Sequence, residues 1–132
     1  MKILLDSNAY SLWKRGHRHV AELIRSSREV LVPIVVVGEL LYGFRYGSRS
    51  EDSARELHLF LDNSRVGVVA TTLTTADRYA RIAAALRAKG RPIPTNDIWI
   101  AAHAMETGAD LVSSDQHFEV VDGLAWIPIR LG

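Results

Sequence analysis

A chain of 132 residues has the size of one domain and is long enough to enclose a core. Its 48% apolar and 23% charged content excludes intrinsic disorder, and the lack of cysteine excludes a disulfide framework, a thiolate metal site and a thiol nucleophile. Residues 1–50 carry 8 Lys/Arg against 4 Asp/Glu and residues 51–132 carry 8 against 11, which rules out a globally basic nucleic-acid coat but leaves room for a basic surface facing an acidic pocket.

The longest apolar run, Val30 to Val37, falls far short of the ~18 residues a membrane span needs. Asp6 interrupts the N-terminal apolar stretch after Ile3-Leu4-Leu5, so no signal peptide is expected. A soluble protein of the reducing cytoplasm is the expectation.

In chain order, Lys2-Ile3-Leu4-Leu5 reads as a buried strand with Asp6 at its carboxyl end, where sites form in open α/β sheets. Ser7 is expected to cap the following helix, and Asn8 is either a second cap or a hydrogen-bonding pocket residue. Val20, Leu23 and Ile24 mark the apolar face of another helix, and Val30-Leu31-Val32 a second strand. The β-branched run Ile34-Val35-Val36-Val37 has strand propensity. Pro33 nevertheless suits a first helical position and Glu39-Leu40-Leu41-Tyr42 continues as a helix would, so helix is chosen. Glu39 then lies on or beside an apolar side, where a carboxylate needs a partner: either a salt bridge, for instance to Arg45, or a site.

Ser50-Glu51-Asp52 opens a further helix with a cap and two acids matched to its dipole, followed by a strand at Val66–Val69. Thr74-Thr75-Ala76-Asp77 resembles a capping box at the start of a helix that stops before Gly90. Pro94-Thr95-Asn96-Asp97 opens the central helix, with Thr95 or Asn96 as N-cap and Asp97 in the first turn, facing the positive end of the dipole. Behind Asp97, the residues Ile98, Ala101, Ala102 and Met105 form one apolar face, and Gly108 ends the helix. Ala109-Asp110-Leu111-Val112 enters a strand that finishes in the polar cluster Ser113-Ser114-Asp115-Gln116-His117-Phe118, and Trp126–Ile129 is a last strand, held at an edge by Pro128. This alternation predicts a parallel α/β sheet covered on both faces.

Asp6 and Asp115 thus end strands, Asp97 opens a helix beside those ends, and Glu39 joins them if its helix crosses the same opening. Carboxylates crowded in this way repel one another unless cations intervene, and an all-oxygen Asp/Glu set favours Mg²⁺ or Mn²⁺. Such ions activate water and stabilise leaving oxygens in phosphodiester hydrolysis. No nucleophile elbow, Walker A loop or dinucleotide-binding glycine motif offers another chemistry. His103 reads as a satisfied interface or core histidine, and His117 as packing or capping. Arg45, Arg49, Arg87 and Arg91 are candidate phosphate contacts, though solvation accounts for each of them more simply.

Four strings, Asp6-Ser7-Asn8, Glu39-Leu40-Leu41-Tyr42-Gly43, Asn96-Asp97-Ile98-Trp99-Ile100-Ala101-Ala102-His103 and Ser113-Ser114-Asp115-Gln116-His117-Phe118, resemble the successive motifs of PIN domains, more narrowly those of VapC toxins. The resemblance spans essentially the whole chain and implies a single PIN domain over 1–132, with a flavodoxin-like three-layer fold. It implies a Mg²⁺- or Mn²⁺-dependent endoribonuclease, homodimeric and neutralised by a small VapB-like antitoxin. The acidic metal ligands of the family fall on Asp6, Glu39, Asp97 and Asp115. Ser113 stands where the family often has Thr, Ser7 where Thr is commoner, and Asn8 carries over as a secondary pocket residue. Two alternatives stay open: an RNA-processing PIN nuclease without an antitoxin, and an inactive PIN-like binding module. Trp13, Leu41, Tyr42, Phe44 and Tyr46 either line an antitoxin groove or belong to the core.

Overall fold

The computed structural model of the chain describes residues 1–131. Strand β1 (Lys2–Leu5) leads through helices α1 (Ser7–Lys14) and α2 (Arg18–Ser26) to β2 (Glu29–Pro33). Helices α3 (Ile34–Phe44) and α4 (Ser50–Leu61) connect to β3 (Val66–Val69), and α5 (Leu73–Lys89) and α6 (Thr95–Thr107) connect to β4 (Asp110–Ser113). A 3₁₀ turn (Gln116–Val120) and β5 (Trp126–Pro128) follow. The strands form one parallel sheet in the order β3-β2-β1-β4-β5.

The sheet is covered on both faces, and the side chains of β1 divide between the two cores. Ile3 and Leu5 pack with Ala9, Leu12, Val20 and Ile24 of α1 and α2, while Leu4 packs on the other side with residues of α3, α4, α5 and α6. All three β1 residues are fully buried, and each such aliphatic side chain contributes about 1.5–3 kcal/mol relative to exposure. β1 is central, with β2 on one side and β4 on the other in the register Leu4↔Leu111 and Leu5↔Val112. From β1 the chain winds outward to β2 and β3, then crosses back to β4 and β5. The reversal opens a crevice at the carboxyl ends of β1 and β4, the place where doubly wound sheets bind ligands.

The expected elements are all present, including α3 over the β-branched run. Val36, Val37 and Leu40 are buried there at helical spacing, and that packing outweighs strand propensity. Pro33 ends β2 and sits at the N-cap of α3, one position earlier than expected. β5 lies at an edge, paired only with β4 among the described residues.

Four expected caps shift. Asp6, rather than Ser7, caps α1, accepting from the Ala9 N–H at 2.8 Å. Arg49 precedes α4 with no side-chain cap, leaving Ser50 as its first helical residue. The capping box of α5 is formed by Thr72 and Thr75, while Asp77 pairs with Arg81 on the surface at 3.0 Å. Pro94 is the N-cap of α6, which puts Thr95, Asn96 and Asp97 in the first turn.

Candidate active site and metal centre

The carboxylates of Asp6, Glu39, Asp97 and Asp115 line one cleft of about 440 Å³ at the crevice, together with Ser7, Asn8, Asn96 and His117. They reach it from four segments. Asp6 is the residue that follows β1, and Asp115 lies just beyond β4 as the N-cap of the 3₁₀ turn. Asp97 sits in the first turn of α6, whose Ile98, Ile100, Ala101 and Ala102 are buried behind it. Glu39 projects from the middle of α3.

Hydrogen bonds hold each acid in place. The Asp6 Oδ1 atom takes the Ala9 N–H, and its Oδ2 accepts from the Ser113 hydroxyl. Ser113 is fully buried, stands behind Asp6 rather than in the cleft, and accepts the Asp115 N–H at 2.9 Å. Ser113 therefore links the two strand-end acids. Glu39 accepts from the Ser7 hydroxyl at 3.3 Å and from the Asn96 amide at 3.1 Å, so its partners are cleft residues and not Arg45. Asn8 lines the cleft and is exposed.

Two residues that the motifs left in minor roles take part. Asn96, considered only as a cap, aims Glu39 from a distance of 57 positions in the chain. His117, expected to pack or cap, places Nδ1 2.9 Å from Asp97 Oδ2 and 3.0 Å from Asp115 Oδ1. The signal for His117 was its place two residues after a strand-end acid, on a turn whose N–H that acid caps. His103 is fully buried, as expected, between Thr71 at its Nε2 and Glu106 at its Nδ1.

The electrostatics follow from crowding. Burial pushes the Asp6 carboxyl up to about 6, against the opposing effect of the Ser113 and Ala9 bonds, and the negative charges of Asp97 and Asp115 add to the rise. Asp97 is also raised, chiefly by burial, with His117 opposing and Asp115 and Glu39 adding to it. Bonding to Asp97 in turn raises the His117 imidazole. Among the described residues, no Lys or Arg makes an ion pair with any of the four acids. Four carboxylates without a Lys or Arg partner, presenting oxygens to a shared space, are the donor set that hard divalent ions require, so the residues present fit such an ion. Asp97, Asp115 and His117 bring one ligand atom each to within 4.8 Å of one another.

The arginines considered as phosphate contacts do not line the cleft: Arg49 pairs with Asp52 at 3.6 Å, and Arg45, Arg87 and Arg91 are exposed. Trp13, Leu41 and Phe44 pack against the core, whereas Tyr42 and Tyr46 are exposed and meet edge-to-face at 5.2 Å. No helix among the described residues is long and apolar enough to cross a membrane.

Fold and cleft together define a doubly wound α/β protein with an acidic, cation-accepting site at its switch point. A family model for the PIN domain matches residues 3–124. Ribonuclease VapC1 of Haemophilus influenzae (strain R2866) is 32% identical over 132 residues, covering 96% of each chain. Ribonuclease VapC2 of Rickettsia felis is 28% identical over 87% of each. Among solved structures, VapBC-1 from nontypeable Haemophilus influenzae superposes with a TM-score of 0.85 at 26% identity, covering 97% of this chain and 98% of that one. VapBC2 from Rickettsia felis, bound to a DNA fragment from its promoter, gives 0.82 at 26% identity with the same coverage. The chain belongs to the PIN domain family and, within it, to the VapC ribonucleases.

Proposed function

We propose that the protein is the endoribonuclease toxin of a toxin–antitoxin pair, hydrolysing RNA phosphodiester bonds with Mg²⁺ or Mn²⁺ held by Asp6, Glu39, Asp97 and Asp115. The observation that carries this reading is the convergence of four acids in one cleft where, among the described residues, no Lys or Arg pairs with them and the His117 imidazole is their one basic neighbour. A divalent ion bound there would supply polarisation of the scissile phosphate and of the attacking water. In the reaction, the water oxygen bonds to phosphorus as the bond to the leaving ribose oxygen breaks, and a proton from that water ends on the leaving oxygen. The protein's share is positioning. Ser113 and the Ala9 N–H fix Asp6, Ser7 and Asn96 aim Glu39, and the helix behind Asp97 keeps it at the mouth. A recessed site of this kind admits single-stranded or looped RNA, whose backbone can bend into it.

The relatives with solved structures are VapBC complexes, which supports a VapB-like antitoxin as partner here. The exposed Tyr42–Tyr46 pair offers that partner an aromatic surface. We further read the chain as a single PIN domain over 1–132 that acts as a homodimer in the cytoplasm, alongside its RNA.

The test is cleavage of a single-stranded RNA by purified protein with Mg²⁺, with Mn²⁺ and with EDTA, for the parent and for Asp97→Asn. Cleavage requiring a metal and falling roughly 10²- to 10³-fold in Asp97→Asn is expected. An undiminished rate in a folded Asp97→Asn protein would overturn the proposal.

A further inference from the structure

We infer that His117 is a nitrogen ligand of the divalent ion held by Asp97 and Asp115, and that it biases this position towards Mn²⁺ over Mg²⁺. The inference rests on the metal-dependent reading above and concerns a residue outside the four-acid set. The geometry comes first. His117 Nδ1 stands 2.9 Å from Asp97 Oδ2 and 3.0 Å from Asp115 Oδ1. In an octahedral ion with bonds of about 2.1 Å, neighbouring ligand atoms lie about 3.0 Å apart. Two edges of the triangle formed by these three atoms therefore have the length of a coordination-shell edge. One ligand atom from each of the three residues lies within 4.8 Å of the other two.

The backbone also presents the ring. The His117 N–H donates to Asp115 Oδ1 at 2.9 Å, so the acid and the imidazole are set by the same turn. Phe118, the next residue, is 1% exposed and anchors that turn in the core. Without an ion, the Nδ1 atom of the ring stands between the two carboxylates. To ligate an ion, Nδ1 would give up any proton to solvent, so that its in-plane lone pair would point between the two acids.

The consequence for selectivity follows from ligand chemistry. Mg²⁺ is served by oxygen ligands and keeps its waters, whereas Mn²⁺ stands higher in affinity for a site that includes nitrogen. Replacing one oxygen by imidazole therefore costs Mg²⁺ more than Mn²⁺.

The experiment is Mn²⁺ binding to the full chain without RNA, followed by pulsed electron paramagnetic resonance on samples with ¹⁴N- and ¹⁵N-labelled histidine. Mg²⁺ and Mn²⁺ affinities are measured by calorimetry in parallel. The parent is expected to show a nitrogen coupling that changes with the label and disappears in His117→Ala. Mn²⁺ affinity should fall about tenfold in that variant and Mg²⁺ affinity by less than about threefold. His117→Asn serves as a second variant, and circular dichroism checks that both remain folded. Bound Mn²⁺ without histidine coupling, or coupling that survives in a folded His117→Ala, would overturn this inference and leave the metal-dependent reading standing. Failure of the parent to bind Mn²⁺ at all would overturn both.

Discussion

At Asp6 the proposed function works against stability. Its carboxyl is nearly fully buried and raised to about 6 from an ordinary 3.8, so between those values the folded protein holds a proton that the unfolded chain has released. Stability of the metal-free protein therefore falls as pH rises from about 4 to about 6, then levels. At 1.36 kcal/mol per unit, the penalty at neutral pH is on the order of 3 kcal/mol. Asp6→Asn keeps an oxygen for the Ala9 N–H and removes the buried charge. It is expected to raise metal-free stability at pH 7 by roughly 1–3 kcal/mol while abolishing cleavage, as urea denaturation in EDTA at pH 5 and pH 7 would show. Equal stability of Asp6→Asn and the parent at pH 7 would refute this account. The four acids were legible from sequence because each interrupts an apolar frame, which is expensive without a purpose. Ser7, Asn96 and His117 were harder to place. Their partners lie 32, 57 and 20 positions away, and local signals for Ser and Asn favour the capping role that both turned out not to play.

At the scale of elements, α6 lines more of the cleft than any other helix. Its first turn presents Asn96 and Asp97, and its middle is buried through Ile98, Ile100, Ala101, Ala102, His103 and Ala104. Trp99 stacks on Tyr79 of α5 at 4.2 Å, and the buried His103 bonds through both ring nitrogens, to Thr71 and Glu106, so that no buried side-chain polar atom among the described residues is left without a partner. The helix must stop so that β4 can bring Ser113 and Asp115 back to the cleft, and Gly108 makes the stop with φ of 71°. A Cβ there would meet nothing within 4 Å, so any cost of Gly108→Ala comes from the left-handed backbone alone. That cost is expected to be about 1–2 kcal/mol, read as a lower urea midpoint with an unchanged slope. A variant as stable as the parent would mean that the turn relaxes freely. Helix and strand boundaries of this kind were readable because glycine, proline and the 3.6-residue period mark them. Only the cap residues moved, since a cap is decided by which side chain is left free after tertiary contacts form. The Ile34–Val37 run was the one true conflict of signals. The length and spacing of the apolar positions resolved it, against β-branched propensity.

For the molecule as a whole, the sheet places two strand ends side by side, and among the described residues the like charges gathered there are answered by no Lys or Arg, only by the His117 imidazole. The strand order, and with it the switch point, was not readable from the chain. Periodicity identifies strands, but their neighbours depend on which crossovers the packing allows. The resulting strain has a thermodynamic signature. An ion that binds only the folded state at one hundred times its dissociation constant adds about 2.7 kcal/mol, or roughly 10 °C in Tm for a domain of this size. Protons compete for the same oxygens. With Asp6 at about 6, only about one tenth of it is ionised at pH 5 in the metal-free protein, which lowers apparent ion affinity about tenfold and removes about 1.4 kcal/mol of the gain. The metal-induced rise in Tm is therefore expected to be about twice as large at pH 7.5 as at pH 5, although the metal-free protein loses stability over that interval. Thermal scans with Mn²⁺ and with EDTA at the two pH values read both trends. Equal metal shifts at pH 5 and pH 7.5 would mean that the ion binds away from Asp6, and would separate the acidic cleft from the chemistry assigned to it.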